Sequence, residues 1–435
     1  MREDIKKRLE QVQANTLPEG YQSKKRRGLF PSDWDVKSLR EISSPITEKV
    51  GEQDLETLSI SAGIGFVNQA KKFGRELSGE QYAKYTVLRY GNFSYNKGNS
   101  KTYPQGCIYQ LIERKIAAVP NVFNSFHMAE STCSGDYYAH LFINGYMNHQ
   151  LYRLINAGVR NDGLLNLYDK DFYSCKLPFP PLPEQQKIAE ILKHCDKIIE
   201  LKQQLIEEEH NRKKWLLQNL FDPNSDFRSI NWLCTWKQSK LLGLCISICD
   251  GDWIESKDQS DAGIRLIQTG NIGVNNYIDK DERARYISQK TFDNLNCTEV
   301  INGDVLLSRL PDPIGRACMI DNLKEKSITA VDCSILKFHN NITAKYFLQY
   351  ASTNVYFKKI AILAGGSTRT RISRKEIENL TIPVPDSLDI QEEIINTLST
   401  FDNKITLLEK ELAQWQQKKK SLMQLLLTGL VRVAV

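Results

Sequence analysis

Residues 185–222 read QQKIAEILKHCDKIIELKQQLIEEEHNRKKWLLQNLFD, and residues 391–428 read QEEIINTLSTFDNKITLLEKELAQWQQKKKSLMQLLLT. Superimposed at a constant offset of 206 residues, the two stretches agree at eleven of 38 positions without a gap. The matches include Gln185/Gln391, Ile188/Ile394, Leu192/Leu398, Asp196/Asp402, Ile199/Ile405, Lys213/Lys419, Lys214/Lys420 and Leu220/Leu426. A repeat this long, with its copies about a domain's length apart, implies that the segments between them are also present twice.

The second copy carries a heptad pattern. Ile394, Leu398, Phe401, Ile405, Leu408, Leu412 and Trp415 alternate spacings of four and three, giving one narrow apolar stripe along a helix. The first copy offers Ile188, Leu192, Cys195, Ile199, Ile206, Leu216 and Leu220, interrupted by Lys202, Glu209 and Lys213. Such a stripe lies on the helix's own domain or pairs with another helix, and the duplication favours pairing within the chain. The predicted seam is Ile188, Leu192, Ile199 and Ile206 against Ile394, Leu398, Phe401, Ile405, Leu408 and Leu412. At 1.5 Å per residue each helix would be roughly 57 Å long.

Both helices begin alike. Leu177-Pro178-Phe179-Pro180-Pro181-Leu182-Pro183-Glu184-Gln185 parallels Ile382-Pro383-Val384-Pro385-Asp386-Ser387-Leu388-Asp389-Ile390-Gln391, with one extra residue in the second copy. Proline ends a ladder and is tolerated in a first helical turn, where Glu184 or Asp389 also suits the positive end of the helix dipole. The segments ahead of them match more faintly. Residues 33–39 realign with 235–241, and residues 90–97 with 302–309, a Gly turn followed by a strand that ends in a basic residue.

This order, a globular region, a strand ending in a short apolar Pro-rich run, Glu-Gln, a long helix and then the same again, resembles the specificity subunit of type I restriction–modification enzymes over essentially the whole chain. The resemblance implies an α/β (α+β) fold with two similar globular target-recognition domains. These would be separated by two long helices forming an intramolecular antiparallel coiled coil with pseudo-twofold symmetry. The expected division is an N-terminal helix and linker (1–27), a first target-recognition domain (28–180), a central helix (181–221), a second domain (222–382) and a distal helix (383–430). It also implies a non-catalytic chain in a cytoplasmic phage-defence complex. Its partners would be double-stranded DNA with a bipartite site, two methylation subunits and, in the full complex, motor–nuclease subunits. The first 17 residues read as an amphipathic helix through Ile5, Leu9 and Val12. By analogy it meets the far end of the last helix; the alternative is a mobile tag that binds the partner subunit.

Composition agrees with these partners. The chain has 435 residues, a net charge of +6 and a pI near 8.6, enough for two cores and mildly basic. Basic residues cluster at 24–27 and in 369–375; the latter, with Gly365-Gly366 and hydroxyls, suits phosphate contact or guanine reading, or else forms a solvated loop before a helix near Lys375. On chemical type and placement at turns or strand ends, the candidate DNA contacts are Asn96, Lys97 and Arg160 in the first domain. In the second they are Gln268, Arg309, Arg316, Arg369, Arg371 and Arg374. Lys213, Lys214, Lys419 and Lys420 are expected on outward helix faces, towards partner subunits, phosphates or solvent.

The motifs disfavour the alternative of a self-contained DNA-modifying enzyme. Asp35-Val36-Lys37 gives half of a nuclease site, but Asp33 is too close to supply the second carboxylate. Gly63-Ile64-Gly65-Phe66 has no methyltransferase Asn/Asp-Pro-Pro-aromatic segment to accompany it, and Gly365-Gly366-Ser367-Thr368 lacks the ending of a phosphate-binding loop. Cys245 and Cys249 have no second pair, and the six histidines lack ligand spacing, so no metal or cofactor is expected. Ten cysteines in a chain of this length suit a reducing compartment. A coiled-coil scaffold without DNA specificity is the competing reading; it leaves the Arg-rich loops and the two large intervening regions without a purpose.

Overall fold

A computed structural model describes residues 3–14, 16–24, 28–73, 79–98, 102–155, 164–222, 225, 227, 235–366 and 370–434. The chain divides into two compact units, residues 1–202 with 411–435, and residues 203–410. Two 40-residue helices, Leu182–Phe221 and Leu388–Leu427, each contribute one half to either unit. Mixed helix and sheet thus surround a helix pair in both units, as the sequence leads one to expect.

In the first unit a ribbon of Asp35–Ser38 with Lys176–Phe179 leads into the first long helix. Beside it stands an antiparallel sheet in the order Ser43–Pro45, Asn124–Met128, Phe93–Asn96, Cys107–Gln110. Helices Gly135–Ile143, Asn148–Leu154 and Asp169–Ser174 complete the frame. Its core is aromatic: Phe93 stacks on Phe126, Tyr95 on Phe172, and Phe142 meets Phe93 edge-on.

The second unit repeats this plan. Trp236–Lys240 pairs with Thr381–Pro385, and an antiparallel sheet runs Cys245–Asp250, Cys333–Phe338, Val305–Ser308, Ala317–Met319. Helices Asn341–Ala351, Asn354–Leu363 and Arg374–Asn379 take the places of the three in the first unit. Strands Phe93–Asn96 and Val305–Ser308, matched in the sequence by their Gly-turn lead-ins, hold the same position in their sheets. The additions differ: the first unit carries ribbons Leu58–Ser61/Gly65–Asn68 and Thr86–Arg89/Ile116–Val119. The second instead carries a five-stranded sheet in which Ile264–Ile267 and Ser327–Thr329 run parallel.

The repeated glutamines explain the shared helix starts. Gln185, fully buried, donates to the Pro180 carbonyl at 2.8 Å and accepts from the Ser134 amide at 2.8 Å. Gln391 donates to the Pro385 carbonyl at 2.9 Å and accepts from the Thr343 hydroxyl at 2.9 Å. Tyr138 and Tyr346 hydroxyls donate to the carbonyls of Pro178 and Pro383, the corresponding prolines. At these positions the proline carbonyls, which must be paired once buried, take their donors from side chains.

The seam serves two purposes. Ile188 and Leu192 join the core of the first unit together with Met423, Leu426 and Leu427. Ile394 and Leu398 join that of the second with Leu216, Leu220 and Phe221, and Phe401 packs against the same core. Ile405 and Leu408 are buried farther along, while Ile199, Ile206 and Leu412 are half-buried. Both options left by the stripe are therefore realised, docking on the domain at each helix start and helix pairing beyond it.

The charged interruptions pair across the helices. Lys419 bonds Asp196, and its repeat equivalent Lys213 bonds Asp402 at 2.6 and 2.7 Å. Lys202 meets Glu411 at 2.5 Å and Lys404 meets Glu209 at 2.8 Å. This corrects the expectation that Lys213 and Lys419 face outward; Lys214 and Lys420 are exposed.

The N-terminal helix, Glu3–Gln13, meets the end of the second long helix: Arg8 donates to the Leu430 carbonyl at 2.9 Å and Tyr21 to that of Gly429 at 2.7 Å. Gly429 has φ +69°, and a Cβ there would lie 2.5 Å from the Pro31 ring. Arg432 then reaches both Asp33, at 2.9 Å, and the buried Glu184, at 2.7 Å, while the Trp34 indole donates to Glu184 at 2.9 Å. The Arg432 guanidinium holds Asp33 below the ordinary carboxylate range.

Burial pushes His140 down to about 4, with Lys419 and Lys193 acting in the same direction and Asp196 and Asp136 opposing. The unfolded chain titrates near 6.5 and so binds the extra proton first. Stability from neutral His140 should be present above about pH 6.5 and be lost as pH falls towards 4. Urea midpoints at pH 7 and pH 5 should therefore differ less in His140→Gln than in the parent.

Candidate nucleic-acid interface

The end of the second unit's central sheet gathers three of the candidate residues. Val305–Ser308 delivers Arg309, the following turn brings the chain back to Arg316, and the Gly365/Arg371 bridge places Arg371 beside the loop at 331–332. Two of the three turn inward. Arg309 is buried, donates to the Ile372 carbonyl at 3.0 Å and pairs with Asp250 at 2.7 Å. Arg316 is also buried and donates to four carbonyls: Ile272 at 2.7 Å, Leu310 at 2.8 Å, Pro313 at 2.9 Å and Thr269 at 2.8 Å. Burial lowers its pKa from the ordinary guanidinium value. The carbonyls engage Nε and both Nη atoms of Arg316, which thereby organises its loops, whereas Arg309 is held inward by burial, one carbonyl bond and its pairing with Asp250.

The remaining candidates lie apart. Arg371 is half-exposed beside Asp332, at 3.6 Å, and Arg374 is paired with Glu378 on its own helix at 3.2 Å. The helix beginning there has Ser373 as its cap, matching the predicted helix start near Lys375. In the first unit Asn96 donates to the Ile60 carbonyl at 3.2 Å and accepts from the Gly98 amide, so it shapes its own turn. Lys97 is largely covered and bonds Asp169 at 3.1 Å. Arg160, Arg369 and most of the 24–27 cluster lie outside the described residues.

Gln268 is half-buried on a polar cleft of about 700 Å³ formed by the five-stranded sheet and the segment 279–285. Arg265 forms the base, paired with Asp279 at 3.1 Å and Asp281 at 3.7 Å. Lys280, Arg283 and Arg285 are exposed around it. Sequence reasoning passed over this rim, although the charge-dense run Asp279-Lys280-Asp281-Glu282-Arg283-Ala284-Arg285 marks it. Arg316 holds the Thr269 and Ile272 carbonyls that shape the cleft's turn, which links the buried arginine to the exposed surface. Among the described residues no group of His, Cys, Asp or Glu could hold a metal, and no helix is long and apolar enough to cross a membrane.

A duplicated frame with a different set of loops in each unit and one half of each long helix in either unit is the architecture of a protein with two recognition regions. The family described as "Type I restriction modification DNA specificity domain" matches twice, over residues 31–208 and 234–417. The chain belongs to this family and is a specificity subunit of a type I restriction–modification system. It is similar to the type I restriction enzyme MjaVIII specificity subunit of Methanocaldococcus jannaschii, 27% identical over 292 residues, covering 64% of this chain and 67% of that protein. It is also similar to that organism's putative type I restriction enzyme MjaX specificity subunit, 24% identical over 446 residues, covering 93% and 95%. Among solved structures it shares its fold with the HsdS subunit from Thermoanaerobacter tengcongensis, with a TM-score of 0.52, 16% identity and coverage of 92% and 98%. A chain from a study of type I R-M complex assembly gives a TM-score of 0.58, 15% identity and coverage of 92% and 99%.

Arg316→Met should lower unfolding stability by about 3 kcal/mol, because four buried carbonyls lose a charged donor. Arg283→Ala, on the exposed rim, should stay within about 0.5 kcal/mol of the parent. Urea unfolding of both variants checks this contrast.

Proposed function

We propose that the regions 28–180 and 222–382 each read one half of a split DNA sequence, and that the two long helices set the distance between the halves. The observation that carries this reading is one frame built twice with different additions: two ribbons on the first sheet, a five-stranded sheet and its polar cleft on the second. A shared frame would present both halves of the site equivalently, while the additions would give each half its own sequence. In the second region the exposed Lys280, Arg283 and Arg285, with Gln268, supply the phosphate-seeking and base-reading chemistry. Arg371 and Arg374 add positive charge elsewhere in that unit.

On this reading the chain is a non-catalytic part of a cytoplasmic complex. It places two methylation subunits on double-stranded DNA, and motor–nuclease subunits join for restriction. The central and distal helices, 181–221 and 383–430, would serve as both ruler and docking frame. Half-sites on one face of the duplex lie about 34 Å per turn apart.

Two measurements test the proposal. Methylome sequencing of a methylation-deficient host carrying this chain and its neighbouring methylation subunit should show a split motif absent without the chain. Replacing residues 28–180 with those of another specificity subunit should then change one half of that motif. An absence of new methylation despite a soluble complex would overturn the reading. Separately, adding one heptad to both long helices lengthens each by about 10 Å and should shift the recognised spacer by a few base pairs; an unchanged spacer would refute the ruler.

A further inference from the structure

Four ion pairs between the long helices fall into two kinds. Lys213–Asp402 and Lys419–Asp196 are repeats of one another at the 206-residue offset. The other two have no repeat. Lys202 and Glu411 correspond to Leu408 and Leu205, while Glu209 and Lys404 correspond to Trp415 and Ile198. The same antiparallel register therefore sets Leu205 opposite Leu408 and Ile198 opposite Trp415. Charge faces charge and apolar faces apolar at all four crossings. Glu209 has a side chain only 2% exposed, bonded to Lys404 at 2.8 Å and Arg212 at 3.1 Å.

Like-with-like pairing in this register would reverse that sorting. Two copies of the first helix would set Lys202 against Leu205 and Glu209 against Ile198. Two copies of the second would set Glu411 against Leu408 and Lys404 against Trp415. The Asp–Lys pairs shared by the repeat would survive in every combination, so they hold register without choosing a partner. We propose that Lys202–Glu411 and Glu209–Lys404 form a partner key. They make the first helix accept the second and reject a copy of itself, because a covered charge facing an apolar side chain loses both solvent and counter-ion.

The test needs no DNA. A specific protease site is inserted between Phe221 and Trp236 of the full chain, the folded protein is cut there, and the fragments equilibrate in moderate urea before native mass spectrometry. Parent protein is mixed with a charge-exchanged variant, Lys202→Glu, Glu209→Lys, Lys404→Glu and Glu411→Lys, cut in the same way. Matched first and second fragments should exceed crossed pairs at least tenfold; equal populations would overturn the key. In a second variant, Lys202→Leu, Glu209→Trp, Lys404→Ile and Glu411→Leu give both helices the same residues at the four crossings. Like-with-like complexes should then rise at least tenfold over the parent, and no rise would also overturn it. If that variant does not fold, the sorting of matched and crossed fragments decides alone.

Discussion

An antiparallel helix pair built from a repeat must satisfy the same residues from both directions, and this constraint governs the structure. Asp196 meets Lys419 while Asp402 meets Lys213. The equivalence fixes register because a slip by one residue would separate both pairs. Apolar contacts alone would specify it less strictly, since Ile and Leu seams tolerate neighbouring registers better than charges with one partner each. The same helices also close the globular cores, with Ile188 and Leu192 in one and Ile394 and Leu398 in the other. Register and domain packing are therefore coupled in each unit.

At the helix starts, the carbonyls of Pro180 and Pro385 take their donors from side chains. Buried amide side chains supply them: Gln185 and Gln391 each donate to a proline carbonyl and accept from the helix or turn that packs behind it. A glutamine is suited to this because its side chain is donor and acceptor at once. A Leu at either position would preserve volume but leave buried polar groups unpaired, which is the costly case. The glutamine thus sets the direction in which each long helix leaves its domain.

Much of this was legible in the sequence because it depends on periodicity and on repetition. The doubled helices, the Pro-to-Gln starts and the equivalence of the strands before Lys97 and Arg309 were all visible as matched residues. The limits of that reading come from tertiary partners. Arg309 and Arg316 have the composition of base readers, yet Asp250 and the carbonyls of residues 269, 272, 310, 313 and 372 turn them inward. A linear pattern shows that a guanidinium is present but not whether nearby carbonyls have already claimed its donors. Lys202, Glu209 and Lys213 looked like flaws in a heptad for the same reason: their partners lie about 200 residues away.

The places where the repeat breaks carry as much information as those where it holds. Glu184 corresponds to Ile390, and the carboxylate is buried only because the Trp34 indole and the Arg432 guanidinium both bond it. Arg432 also grips Asp33, so one cation joins the chain's last described stretch to the lead-in of the first unit and to the start of the first long helix. Removing the cation would leave a buried carboxylate with only an indole donor, a larger loss than any single surface pair would cause. Duplication supplies the frame, and the departures from it give each copy of the frame contacts that the other copy does not have.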